Sequence, residues 1–299
     1  MDSGLVGSEY AGHFTESDIR LLNPAARALT GTGAPGQEDA AGSWLHDPGT
    51  LQAVLSDQEV AGVVLGHSEG ETGAQTPPAS PFLVFAVAVH RAAAELASAR
   101  HVSERTGPRQ RVPLFDAPEL RDFLSAAQRR LFLAELLASF TKVSSGRYQV
   151  RSHGQVRTRR FSELDPVRMA GLLEAVPEPD RPGVYRRLGD VALFLTGVFP
   201  DYASGPALGL VDSARLVRAA RVPVPDAERL AAGPALELLE QLGSRWYRAA
   251  WELAAVRTAR LGVVAEVAER FRQARRVLNH VADRYLFPIG SPWFTRPDS

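Results

Sequence analysis

VVAEVAERFRQARRVLNHVADRY, residues 263–285, is the stretch that decides the fold. Its apolar positions Val264, Val267, Phe271, Ala274, Leu278, Val281 and Tyr285 recur at alternating intervals of three and four. That period places one greasy stripe along an α-helix, because residues three and four apart stack on one face. The preceding segment keeps the same alternation through Leu236, Leu239, Gly243, Trp246, Ala250 and Leu253. Two such helices joined near Arg260-Leu261-Gly262 form an antiparallel hairpin. Each seam is too short to stand alone as a coiled coil, so both must dock on further helices.

The pattern extends upstream. SPFLVFAVAVHRAAAELASAR opens with Ser80 as N-cap and Pro81 in the first turn, and is apolar nearly all round through Val89, as a central core helix would be. DAPELRDFLSAAQRRLFLAELLASFTKV (116–143) repeats the design, with Asp116 as cap and Leu120, Phe123, Leu124, Leu131, Leu137 and Phe140 on its inner side. The first 78 residues differ, holding 11 acids against Arg20 and Arg27, and 12 of the chain's 25 glycines. GTGAPGQEDAAGS (31–43) and GHSEGETGAQTPPA (66–79) read as flexible loops, with a short helix at DPGTLQAVLSD (47–57) between them. The expected organisation is therefore an acidic arm over 1–78 with one or two short helices, a helical domain over 79–287, and an extended tail over 288–299. The fold class is all-α: a single bundle of about seven or eight helices with a small β-hairpin insertion and a partly disordered N-terminal arm.

That insertion is GRYQVRSHGQVRTRRF (146–161), which carries five arginines and no acid. Tyr148 and Val150 alternate with Arg147, Gln149 and Arg151; beyond a glycine-containing loop, Val156 and Thr158 alternate with Arg157 and Arg159. Period 2 predicts two strands, with Tyr148, Val150 and Val156 turned inward and the arginines turned to water. Arginines on the wet face also discourage edge-to-edge pairing. The same residues, with Lys142, could instead contact a protein or, as a third reading, nucleic-acid phosphates.

Composition narrows the function. The 299 residues carry 34 basic and 34 acidic side chains, so no net field draws the molecule toward DNA or an anionic membrane. All basic residues but Lys142 are arginine, which a GC-rich codon bias explains. Cysteine is absent, removing disulfides, thiolate metal sites and cysteine nucleophiles. The seven histidines include no pair at zinc-helix spacing and no Glu-x-x-His motif. No phosphate-binding glycine loop or G-x-S-x-G elbow is present. These observations point away from an enzyme and name no catalytic residue, cofactor or metal. MDSGLVGSEYAGHF lacks the basic and apolar regions of a signal peptide. The apolar runs FLVFAVAV (82–89) and VALFL (191–195) fall short of the ~20 residues that span a bilayer. The expected location is cytoplasmic, away from membranes.

Two further places invite a functional reading. Asp190, in YRRLGDVALFLTGVF, shares a helical face with Phe194 and Gly197; a carboxylate there needs a partner, with Arg186 or Arg187 in reach. Gly189 and Gly197 would allow a close backbone approach. Tyr247 and Trp251, four residues apart beside the seam residue Trp246, define a flanking aromatic stripe. The possible ligand or partner contacts are thus Arg147, Arg151, Arg157, Arg159, Asp190, Tyr247 and Trp251.

Through YRRLGDVALFLTGVFPDY (185–202), RRFSELDPVRMAGLLEAV (159–176) and LLEQLGSRWYRAAW (238–251), the chain resembles a group of helical bacterial proteins sharing an RRLGDxALFxTGVFP-like segment and having no known activity. The likeness spans roughly residues 80–287 and implies a helical fold and no catalytic motif. Some members carry a tyrosine-rich stretch after the Phe-Pro, which GLVDSARLV (209–217) here does not. The reading reached is a non-catalytic cytoplasmic interaction or regulatory protein whose partner is another protein or a second copy. The alternatives are an enzyme or small-ligand sensor with a pocket near Asp190 and Trp246/Trp251, and a nucleic-acid binder using Arg147–Arg160.

Overall fold

A computed structural model of the chain describes residues 3–31, 43–66, 79–107, 110–152, 155–201, 208–220 and 223–288. Within them the chain is mainly helical, with fourteen α-helices and two small two-stranded hairpins. The expected loops over 31–43 and 66–79, the hairpin turn at 153–154 and nearly all of the C-terminal tail lie outside the described residues. The chain divides into two compact units. The first comprises Met1–Val102, Phe115–Thr141 and Val281–Ser299; the second comprises Ser103–Leu114 and Lys142–His280.

The first unit is organised around α5 (Pro81–Ser98), whose residues Phe82 to His90 are all buried. Ser80 accepts a hydrogen bond from the Leu83 amide and Pro81 occupies the first turn, as the sequence predicts. By length and composition α5 could cross a membrane, yet 61% of it is buried inside the protein, as a core helix would be. Around it stand α1 (Ser3–Ala11), α2 (Glu16–Thr30), α3 (Pro48–Ser56) and α4 (Gln58–Val64). Residues 1–78, expected to hold one or two short helices, thus carry four α-helices among the described residues. Their apolar side chains Tyr10, Leu22, Leu51, Val54 and Leu55 are buried, and that burial orders segments too short to be helical alone. Asp18 ties this region together. It completes a capping box with Thr15 at the start of α2, and its other oxygen accepts the Ser80 amide at 2.8 Å.

The segment over 116–143 reads as one helix but forms two, α6 (Ala117–Ser125) and α7 (Ala127–Ser139), because Ala126 is extended. Arg129 and Arg130 explain the break. Arg129 donates to the carbonyls of Phe123 (2.6 Å) and Asp122 (2.9 Å), and Arg130 to those of Leu124 (2.5 Å) and Ser125 (3.1 Å). Both guanidiniums fold back over the C-terminus of α6 and satisfy carbonyls that lack helical partners.

The second unit opens with a hairpin not evident in the sequence, β1 (Val102–Gly107) and β2 (Gln110–Leu114), Val102 itself belonging to the first unit. The expected hairpin follows as β3 (Ser145–Ser152) and β4 (Gln155–Ser162). Then come α8 (Pro166–Ala170), a 3-10 turn (Gly171–Glu174), a second (Glu178–Asp180) and α9 (Arg181–Val198). The remaining helices are α10 (Leu210–Ala219), α11 (Val224–Ala232), α12 (Ala235–Leu253), α13 (Ala259–Glu269) and α14 (Phe271–Val281), followed by a π-turn at Ala282–Leu286; Val281 and the π-turn belong to the first unit.

The 263–285 stripe is buried from Val264 to Tyr285 as its spacing demands, but the helix breaks at Arg270. The preceding joint lies over 254–258, where Thr258 caps α13, and not at 260–262. Helix α9 packs most extensively against α12. On α14, Asn279 acts as a substitute strand partner for β1: its Oδ1 accepts the Arg105 amide at 2.9 Å and its Nδ2 donates to the Arg105 carbonyl at 3.3 Å.

One buried group gives the first unit a pH dependence. His90 lies 3.0 Å from the Tyr10 hydroxyl through Nε2, and burial, aided by the Arg130 charge, holds it well below the ordinary imidazole value. The unfolded chain takes up this proton near pH 6.5, whereas the folded chain resists it. The contribution is complete above 6.5 and shrinks as pH falls, by up to about 1.4 kcal/mol per pH unit. Urea unfolding between pH 7.5 and 5 should show this loss, and His90→Gln should flatten the slope.

Candidate functional site

The β3–β4 register decides which side chains share a face. Ser152 pairs with Gln155, so Tyr148 lies opposite Arg159, Val150 opposite Arg157, Arg147 opposite Arg160 and Arg151 opposite Val156. Directly paired residues point to the same side. The expected face of Tyr148, Val150 and Val156 is therefore corrected. Val150 is buried and Val156 is 53% exposed on the opposite side, while Arg157 and Arg159 join Tyr148 and Val150. A shift of one residue in the assumed loop length accounts for the difference.

Tyr148 fixes the hairpin to the next element. Its hydroxyl occupies the space over Gly171 where a Cβ would stand. Asp165 caps α8 by accepting the amides of Val167 and Arg168 at 3.1 and 3.0 Å, and Pro166 occupies the first turn. Between β4, α8, the 171–174 turn, the first turn of α9, and α10 lies a groove of about 900 Å³. Arg159, Arg160, Arg168, Arg181, Arg215 and Arg218 line it, with Tyr148, Tyr185 and a single acid, Glu174.

Four of the six arginines are engaged. Arg159 pairs with Glu174 (2.8 Å), Arg168 with Asp165 (3.0 Å), Arg181 with Glu178 (3.0 Å) and Arg215 with Asp212 (3.3 Å). Arg160 and Arg218, both exposed, have no ion pair among the described residues. Among the described residues the groove thus keeps two uncompensated positive charges. Arg147 stands directly across from Arg160 in the ladder, a like-charge pairing that disfavours the bare hairpin.

Of the sequence-nominated residues, Arg159 lines the groove, whereas Arg147 and Arg157 lie on the hairpin outside it. Arg151 lies opposite Val156 in the ladder, and its side chain is outside the described residues. Arg160 entered the sequence reading only as the end of the Arg147–Arg160 nucleic-acid alternative, and Arg168, Arg181, Arg215 and Arg218 were not singled out. These four come from three separate helices and resemble solvated charges until the fold brings them together. Among the described residues, no three His, Asp or Glu side chains converge as metal ligands would.

Asp190 and Tyr247 are brought together elsewhere. The Tyr247 hydroxyl donates to Asp190 Oδ1 at 2.8 Å. Burial, with the Asp190 carboxylate beside it, raises this phenol well above its usual range, which keeps the donor protonated. Arg187, three residues earlier on α9, lies 3.9 Å from Asp190 Oδ2 and 3.1 Å from Glu163 Oε2. Gly189 makes the contact possible, since a Cβ there would come within 2.3 Å of the Tyr247 ring. Gly243 plays the same part toward Phe271 and Ala192, and Gly197 toward Leu278. Asp190 and Tyr247 do not line the arginine groove. Trp251 stands apart, half-buried, with the Arg257 guanidinium 5.1 Å from its ring.

No protein-family model matches the chain, and neither the curated proteins nor the solved structures give a match.

The glycine contacts make opposing predictions. Gly189→Ala should destabilise by about 1–3 kcal/mol, because the new methyl overpacks Tyr247. Gly262→Ala, with nothing within 4 Å in α13, should stabilise by up to about 1 kcal/mol through helix propensity. Denaturant midpoints of the two variants check the pair. Tyr247→Phe should cost about 1–3 kcal/mol by depriving buried Asp190 of its hydroxyl donor, and Asp190→Asn in the same background should recover part of that loss.

Proposed function

We propose that this protein is a non-catalytic interaction or regulatory protein whose recognition surface is the arginine-lined groove, and that its partner presents negative charge. The observation carrying this reading is the set of six guanidiniums around one groove, two of them without an acid among the described residues. Guanidinium groups bind carboxylates in a planar, two-pronged geometry, which gives orientation as well as attraction. Tyr148, held against Gly171, supplies a fixed wall.

A protein partner is favoured over nucleic acid because the uncompensated charge is small. Polyanion binding draws on many free cations in a row, whereas four acids already answer four of these arginines. The likeness to the group bearing the RRLGDxALFxTGVFP-like segment is read in the same way. In this chain those residues form a helix contact, Gly189 and Asp190 against Tyr247. A cytoplasmic setting accords with the absence of cysteine.

Fluorescence anisotropy with a labelled deca-glutamate peptide tests the reading. Binding should weaken with salt, and the double variant Arg160→Ala/Arg218→Ala should lower affinity about tenfold. Unchanged affinity in that variant would overturn the groove as the recognition surface. Tighter binding of a ten-nucleotide oligothymidine would instead support the nucleic-acid reading.

A further inference from the structure

A second cavity, of about 270 Å³, adjoins the arginine groove and shares Val167, Arg168 and Arg215 with it. Its floor is aliphatic, formed by Pro166, Val167, Leu195, Leu208 and Leu239 between α8, α9 and α12. Its rim carries two ion pairs, Asp165–Arg168 and Asp212–Arg215. Engineered apolar cavities of ~150 Å³ accept a benzene-sized guest, so this one has room for a single large aliphatic side chain.

Resting on the groove reading above, we propose that the two cavities form one bipartite site for an acidic peptide segment that bears an aliphatic side chain. The acidic positions lie along Arg160 and Arg218, and the aliphatic side chain enters the space over Leu195 and Leu239. The rim carboxylates favour a peptide. Asp165 and Asp212 can accept N–H groups from an extended backbone, donors that a phosphodiester chain lacks. Apolar burial then adds affinity that charge alone does not supply, since exposed charge pairs contribute mainly to steering and register.

The test compares two labelled ten-residue peptides of alternating Glu and Ser, one with a single central Leu in place of a Ser. The leucine peptide should bind about tenfold more tightly, as expected for burying one such side chain. Ala235→Leu, which fills the smaller cavity from its lining, should remove that preference while leaving affinity for the serine peptide unchanged. Circular dichroism and the thermal midpoint verify its fold. Leu208→Ser, at a half-buried position before α10, should reduce the preference without filling the space. Equal binding of the two peptides, both still dependent on Arg160 and Arg218, would overturn the bipartite site and leave the groove reading standing. Failure of both peptides to bind, or tighter binding of oligothymidine, would overturn both.

Discussion

The close approach of α9 and α12 is the constraint on which the second unit depends. Gly189 gives up its side chain so that the Tyr247 ring can lie against the α9 backbone, and Gly243 does the same for Phe271 and Ala192. That proximity lets the Tyr247 hydroxyl reach Asp190. From Asp190 the polar chain continues through Arg187 to Glu163, which also accepts the Ser144 amide at 2.9 Å. The Glu163 amide in turn donates to the Ser144 carbonyl at 3.0 Å. The base of the β3–β4 hairpin is thereby tied to α9, whose first two turns carry Arg181 and Tyr185. Packing of two helices is what sets the walls of the groove.

Charge inside the second unit reinforces this frame. Glu240 on α12 accepts from Arg272 (2.7 Å) and Arg275 (2.9 Å) of α14, and Glu104 of β1 pairs with Arg275 and Arg276. Arg275 and both glutamates are buried. Burying ions costs desolvation that mutual attraction only partly offsets, but removing one partner strands the rest. Such a network therefore specifies which surfaces meet more than it stabilises them. It also accounts for part of the arginine content without calling on a ligand.

How far the sequence discloses this structure follows from what its patterns encode. Apolar periodicity reports burial directly, so the seam through Val264, Val267 and Leu278 and the all-round apolar α5 were legible. Ser80 was legible as a cap because its side chain acts on the Leu83 amide three residues away. The α6–α7 break was hidden because Arg129 and Arg130 look like solvated charges until their guanidiniums turn back onto carbonyls. The β1–β2 hairpin was hidden because Glu104 and Arg105 are buried through partners 170 or so positions away, Arg275 and Asn279. At the candidate site, the hairpin was visible as a local oddity, as Asp190 was away from it. The groove itself required four separated segments to converge, and no local spacing records that.

Hydrogen–deuterium exchange with the acidic leucine-bearing peptide, free and bound, tests the central claim most directly. The account predicts that α9 and α12 exchange slowest in the free protein. It further predicts that peptide-dependent protection falls on β4, the 171–174 turn, α8 and α10. Protection confined to other segments, or rapid exchange in α9 and α12 without ligand, would contradict it.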